Sequence, residues 1–321
     1  MPDTPFVRIV WNNCTIGEWN ELLHAVARST ITQTFAYGEA MLLTERWQPR
    51  FGLIEANDRP VGLVLVLEKR VAKVVRVAKI HRGPLWLVEP EPAVLAAALK
   101  ALRLAFPAGI TRWTTFVPEL PAGEAARAML KAAGFRPMKG EGYRTLWLDL
   151  RRSEDELRQG LKGNWRNHLN QSLRAGLTLE NDREHKGLPW LVERHLKDKE
   201  ARGYRGPSGP LAVRLRNALH KGGAKEHGVL LLRAMKEGEP VAGVLMLRHG
   251  RTATYQIGWN GPEGRKAHAH QFLVWHALLA LKHQGVEWLD LGGINPAGAP
   301  GVSEFKRGLG GDEVELAGTF V

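Results

Sequence analysis

Apolar positions recur at three- and four-residue spacing between Ile16 and Ala27, where Trp19, Leu22, Leu23 and Val26 predict one face of a helix. A short strand, Phe6 to Val10, precedes it, and after the polar run Ser29 to Thr34 a second helical stretch covers Tyr37 to Arg46. The pattern then shifts to short apolar runs. Arg50 to Glu55 and Val61 to Leu67 flank the turn residues Asn57, Asp58, Arg59 and Pro60 and predict a hairpin. A strand near Arg76 to Ile80 leads to Arg82-Gly83-Pro84 and Leu85-Trp86-Leu87. Pro92 to Phe106 reads as an alanine-rich apolar helix, and Ile110 to Val117 as a strand. A helix from Gly123 to Ala133, ended by Gly134, and a strand pair near Phe135 and Arg144 to Leu150 close this half.

The second half repeats the order: a strand from Val229 to Met235, a turn at Lys236 to Pro240, strands at Val241 to Leu247 and Arg251 to Trp259, and a glycine-containing loop. A helix from His270 to His283 and a strand from Val286 to Leu291 follow. DRPVGLVLVL (58–67) aligns with GEPVAGVLML (238–247), and RWTTF (112–116) aligns with EWLDL (287–291) at nearly the same offset. A repeat of this length, strand-turn-strand-strand-helix-strand in each copy, predicts one α/β (α+β) fold used twice, each copy a twisted mixed sheet flanked by helices. The expected domains are residues 1–150 and 151–321.

At the joint, Ser153 and Glu156 make a capping box, and a single helix is expected from Ser153 to Ala175. Its apolar face is Leu157, Leu161, Trp165, Leu169 and Leu173. Arg158, Lys162 and Arg166 stack on another face with no acid four residues on. Such a row is a solvated face or a contact for a phosphate backbone. Residues 197–227, dense in Lys, Arg, His, Gly and Pro, read as an irregular connection.

Charge sharpens the phosphate reading. The 321 residues carry a formal net charge of +12, an excess that usually faces nucleic acid, an anionic membrane surface or phosphorylated substrates. Cys14 is the one cysteine, which excludes an internal disulfide and a cysteine-based zinc site and fits a reducing cytoplasm. The start of the chain lacks a signal-peptide pattern, and the longest apolar run, Val61 to Leu67, is far short of the roughly 20 residues that cross a bilayer. A cytoplasmic protein with possible peripheral membrane contact is expected.

Candidate chemistry concentrates in VEWLDLGGINPAGAPGVSEFKRGLGG (286–311), where glycines on both sides of Phe305 and Lys306 predict tight turns around a cation. Together with the two-fold order of elements and the stretch NWRNHLNQSLRAGL (164–177), the segment LDLGGINPAGAPGVSEFKRGLGG resembles the FemABX family of peptidoglycan-bridge aminoacyl transferases. Members of that family carry two GNAT-like (N-acetyltransferase-like) domains in one chain. The resemblance covers essentially the whole sequence, in a compact form without the long helical hairpin of some members.

It implies transfer of an amino acid from aminoacyl-tRNA to an amine of a peptidoglycan-precursor peptide. Lys306 would hold the developing oxyanion, Phe305 would shape the pocket, and Tyr255 in TATYQIGW would match a tyrosine of the neighbouring strand. Asp290, at a strand end, would orient Lys306 or accept a proton; equally it would stabilise a turn. Arg158, Lys162 and Arg166 would take part of the tRNA contact. The ester is already activated, so no metal or cofactor is required.

Two other readings stay open. The loop GPEGRKAHAH (261–270) stands where catalytic GNAT domains present backbone N–H groups, at a helix N-terminus, to a pyrophosphate; Gly261, Gly264, Arg265 and Lys266 would fit an anion there, and this keeps an acyl-coenzyme A-dependent N-acyltransferase in contention. A noncatalytic RNA-binding form of the fold is the third. His268, His270 and His276 lack a neighbouring acid and are read as surface residues rather than metal ligands.

Overall fold

The computed structural model describes residues 5–203, 206–221 and 228–321. The chain divides into two compact units, one running through Arg144 and regaining Val314–Val321, the other spanning Thr145–Glu313.

The first unit begins with β1 (Val7–Trp11), α1 (Ile16–Ala25), α2 (Phe35–Glu45), β2 (Gln48–Ala56) and β3 (Arg59–Val71). It continues with β4 (Val75–Gly83), β5 (Leu85–Trp86), α3 (Pro92–Ala105), β6 (Arg112–Pro118) and α4 (Glu124–Ala132). The sheet runs β1-β2-β3-β4-β6, with β5 on β3. Strands β1 to β4 are antiparallel, whereas β4 and β6 are parallel and stay paired from Arg76↔Arg112 to Gly83↔Pro118. A parallel pair needs a crossover, which α3 supplies, burying Ala98, Leu99 and Leu102 with Ile80 and Phe116.

Between β3 and β4 the ladder is interrupted. β3 pairs with β4 only from Leu67 to Val71, and with β5 only at Gly62 and Leu63. Gln33, wholly buried, fills the gap. Its Oε1 accepts from Leu65 N–H at 2.7 Å and its Nε2 donates to the His81 carbonyl at 2.9 Å. The polar run before α2 therefore substitutes for a missing strand.

The second unit contains β7 (Arg144–Asp149), α5 (Glu154–Gly160), α6 (Gly163–Ser172), β8 (Thr178–Asn181), α7 (Leu188–Arg202) and α8 (Gly209–Lys221). Then follow β9 (Gly228–Lys236), β10 (Glu239–His249), β11 (Thr252–Asn260), α9 (Pro262–Lys266), α10 (Ala269–His283), β12 (Trp288–Gly293), α11 (Pro300–Arg307) and β13 (Asp312–Glu315). Its sheet order is β13-β7-β12-β11-β10-β9-β8. The segments aligned in sequence occupy equivalent places: β3 and β10 are each the second strand of an antiparallel hairpin, and β6 and β12 are each the parallel strand after a crossover helix. Helix α10 fills the core with Phe272, Leu273, Trp275, Leu278 and Leu281.

Several expectations are corrected. The helix over 153–175 is two helices. Ser153 caps α5 with the predicted box, but Leu161 and Lys162 turn extended between Gly160 and Gly163, whose low helix propensity favours a break there. Residues 197–227 are not an irregular connection throughout: α7 extends to Arg202 and α8 occupies 209–221, while 204–205 and 222–227 lie outside the described residues. Buried Leu188, Leu191 and Val192, then Ala212, Leu215 and Leu219, keep helical spacing beneath that charge density. Phe135 forms no strand; it follows α4 as a core residue against Phe116 at 4.8 Å. The strand Arg144–Asp149 belongs to the second sheet, and the last residues return to the first unit, where Phe320 exchanges backbone hydrogen bonds of 2.8 Å with Phe116.

The plug at Gln33 makes a definite prediction. Gln33→Ala strands the Leu65 N–H in a buried site, at about 1–3 kcal/mol, while the His81 carbonyl keeps its 2.8 Å hydrogen bond from Thr32 Oγ1. Urea unfolding is expected to show a lower midpoint at unchanged slope, corresponding to a stability loss of about 1–3 kcal/mol.

Candidate active site

Strands β11 and β12 are parallel over only three residue pairs, Thr252↔Trp288, Ala253↔Leu289 and Thr254↔Asp290, and then part. The equivalent pair of the first unit, β4 and β6, stays zipped to its end. The site is built where the second pair opens.

Two backbone irregularities prepare it. β11 carries a bulge, so that Ile257 faces Leu245 and Tyr255 faces Met246, leaving Gln256 as the extra residue. Tyr255 and Gly258 thereby sit opposite Met246 and Val244 and share a face of the sheet. On β12, Asp290 is buried and its Oδ1 receives Thr145 Oγ1 at 2.5 Å and Gly292 N–H at 2.8 Å. Gly292 turns with φ +72°, a conformation that L side chains rarely adopt.

Lys306 approaches this turn from α11. It does not lie in a loop between glycine turns, as its flanking glycines led us to expect; it occupies the last turn of a helix that starts at Pro300. Its Nζ donates to the Gly293 carbonyl at 2.8 Å and stands 5.9 Å from the centroid of the Tyr255 ring. Desolvation lowers its pKa to about 8, against a smaller opposing pull from Asp290. The ammonium therefore predominates at pH 7 but holds its proton less firmly than an exposed lysine.

Phe305, half-buried, lies 5.8 Å from Trp165 and 5.1 Å from His270 between ring centroids. His270 in turn shares a 2.9 Å hydrogen bond between its Nε2 and the Tyr255 hydroxyl. Burial lowers the His270 pKa to about 4, so that the ring is neutral near pH 7. Lys306, Tyr255, His270, Phe305 and Trp165 thus form one cluster of aromatic faces around a desolvated cation. Such a cluster can offer a hydrogen-bonding positive charge to a developing oxyanion in a site depleted of water.

The structure brings Lys306, Phe305, Tyr255 and Asp290 together. The phosphate candidates are spread around them. Arg158 donates to Asn170 Oδ1 at 2.6 Å, which places it beside Arg166, one helical turn before Asn170 on α6. Lys162 is exposed at the N-cap of α6, and neither it nor Arg166 has an ion pair among the described residues. Arg265 donates to the Asn260 carbonyl at 2.7 Å and Lys266 pairs with Glu263 at 2.8 Å.

The glycine-containing stretch that follows β11 is not an open loop. The amides of Arg265, Ala267 and His268 close on the carbonyls of Gly261, Glu263 and Arg265, making the short helix α9. Gly264 is required for another reason: a Cβ there would lie 2.5 Å from the Val241 carbonyl oxygen.

Sequence reasoning missed Trp165, His270 and Gly258 as site residues. The spacing alone makes Trp165 a core position of the helix face and leaves His270 a surface position, whereas His270 is half-buried against Tyr255 and Phe305. Gly258 carries the clearest signal, since a Cβ there would stand 1.7 Å from the Tyr255 hydroxyl and 2.6 Å from the His270 ring. Only a glycine three residues after Tyr255 leaves room for their hydrogen bond. Among the described residues no group of His, Cys, Asp and Glu has metal-binding geometry, and no helix is long and apolar enough to cross a membrane.

Comparison with known proteins defines the class. Residues 158–307, all within the second unit, match the family model described as an acetyltransferase (GNAT) domain. A crystal structure of FemX superposes with a TM-score of 0.79 at 18% identity, covering 97% of this chain and 96% of that one. A tandem GNAT protein from the clavulanic acid biosynthesis pathway gives 0.54 at 17% identity, covering 98% of both chains. The C-terminal domain of a putative lysylphosphatidylglycerol synthetase from Agrobacterium fabrum gives 0.52 at 13%, covering 95% of this chain and 91% of that one. Comparison with curated proteins finds no match. The protein has a tandem GNAT fold, the fold of the FemX structure.

The neutral, half-buried His270 can be tested directly. In an NMR titration its ring is expected to stay neutral from pH 8 to 5 and to protonate near pH 4, whereas an exposed imidazole titrates at about 6.5. Gly258→Ala should expel the Tyr255 hydroxyl and shift the His270 resonances.

Proposed function

We propose that the protein is an aminoacyltransferase that moves an amino acid from aminoacyl-tRNA to an amine, on a peptidoglycan-precursor peptide or an acceptor of similar chemistry. The observation that carries this reading is Lys306, a cation with its pKa lowered to about 8, held by the Gly293 carbonyl at the open end of β11 and β12. The full-length likeness to the FemX structure supports it, as does the net charge of +12.

In this reading the acceptor amine attacks the ester carbonyl of the charged tRNA. A C–N bond forms, and the carbonyl oxygen becomes an oxyanion facing the Lys306 ammonium. Collapse breaks the C–O bond to the ribose, and the proton lost by the amine leaves on the ribose oxygen. Tyr255 and Phe305 line the approach, and His270 holds the Tyr255 hydroxyl. Asp290 is a positioning residue: it fixes the Gly292 turn whose next carbonyl receives Lys306.

An acyl-coenzyme A donor is the second reading, favoured by the GNAT domain match. The short helix α9 is compatible with it, since the first amides of a helix have no partner within it. Binding of aminoacyl-tRNA, deacylated tRNA and acetyl-coenzyme A to the purified protein separates the two. Preference for charged tRNA supports the proposal, and tight coenzyme A binding with indifference to aminoacylation overturns it.

Lys306→Ala is expected to lower kcat/KM for transfer by about 100- to 1,000-fold, the cost of one oxyanion donor. Because the protonated form is the active one, wild-type activity should fall as pH rises through about 8. In Lys306→Arg any residual activity should lack that alkaline limb, since a guanidinium stays charged there. If Lys162 and Arg166 touch the phosphate backbone, replacing both by Glu should reduce the salt dependence of tRNA binding by roughly one unit of slope per cation. An unchanged slope would show that α6 presents only a solvated face.

A further inference from the structure

One end of the first unit's sheet carries a feature that the transfer site does not use. Arg70, Arg76 and Arg112 are in register across β3, β4 and β6, Arg70 opposite Arg76 and Arg76 opposite Arg112. Neighbouring strands lie about 4.8 Å apart, so three guanidinium groups leave the same face of the sheet side by side. All three are exposed, and none has an ion pair among the described residues. Like charges at adjacent strand positions are destabilising on their own, and an anion spanning them relieves the repulsion.

Two turns project from the same end. The β3–β4 turn holds Ala72 and Lys73 at φ 49° and 63°, with Val71 and Val74 exposed by 48% and 66%. The turn before β6 is closed by reciprocal hydrogen bonds between Gly109 and Arg112, and its Thr111 carbonyl accepts from Arg76 N–H at 2.8 Å, fastening the two turns together. Ile110 is at its apex, 105% exposed, and Trp113 just inside it is 54% exposed. Val74 and Ile110 at the tips of two adjoining turns, with Val71 and Trp113 exposed at the strand ends behind them and three arginines and Lys73 alongside, combine insertion with anion binding.

We propose that this end of the first unit docks on an anionic lipid bilayer. Val74 and Ile110 would enter the interface, Trp113 would sit at headgroup depth, and the arginine ladder and Lys73 would lie against lipid phosphates. Charge complementarity and the chemistry of the apex select this occupant. A tRNA backbone would satisfy the arginines but would leave two branched aliphatic side chains, which offer no face for base stacking, in water.

The test is co-sedimentation of the full-length protein with phosphatidylcholine vesicles, with and without phosphatidylglycerol, at two salt concentrations. The expected result is binding to the phosphatidylglycerol vesicles that weakens with salt. Each cation removed should cost about five-fold in partition, so that Arg70→Gln/Arg76→Gln/Arg112→Gln loses about 100-fold. Val74→Ser/Ile110→Ser, which leaves the charge intact, should lose at least about ten-fold. All five positions are exposed, and an unchanged thermal midpoint confirms that each variant is folded. Absence of binding at low salt, equal binding by either variant, or equal binding to vesicles without phosphatidylglycerol overturns the proposal. So does retention of vesicle binding by the triple variant together with loss of tRNA binding, which would make the ladder an RNA contact.

Discussion

The contact on which the candidate site depends is the hydrogen bond from Lys306 Nζ to the Gly293 carbonyl. It exists because a parallel strand pair that starts as an ordinary ladder stops after three steps. Beyond that point β12 leaves β11 but stays on β7, shifting register between Asp290 and Gly293, and the turn there is held by Asp290 through Thr145 and the Gly292 amide. A lysine brought into this gap loses water on most sides and gains one carbonyl and one aromatic face. Its lowered pKa is the electrostatic record of that exchange.

The two units use the same fold differently. In the first, the equivalent parallel pair remains closed along seven residue pairs, and the interruption falls instead between β3 and β4, where a buried glutamine restores the missing hydrogen bonds. In the second, the interruption stays open and is lined by Tyr255, Phe305, His270 and Trp165. A duplicated architecture thus carries one filled gap and one open gap, and the filled one is filled by a side chain whose amide mimics a peptide group.

The cluster is also organised by what is absent from it. Gly258 leaves room for the Tyr255 hydroxyl and the His270 ring, and Gly308 leaves room for Trp165, whose Cδ1 would stand 2.4 Å from a Cβ at that position. These glycines do not serve as hinges in the site; they are volumes that aromatic side chains occupy. Lys306 itself lies 5.9 Å from the Tyr255 ring, and burial lowers its pKa.

Much of this was legible along the chain. The alternation of apolar runs and turns, repeated at a nearly constant offset, determined the tandem α/β architecture, because strand and helix periodicities are local properties of side-chain spacing. The glycine-flanked Phe305-Lys306 pair pointed to the candidate site, although the glycine turns expected around Lys306 are a helix end. The break at Leu161, the helices hidden beneath the basic stretch, and the passage of β7 and the C-terminal residues between the units were not legible. Each was decided by which distant strand or core accepted the segment. The meeting of Tyr255 with His270 depends on a bulge in one strand and a missing Cβ three residues on, relations between backbones that exist only once the sheet is folded.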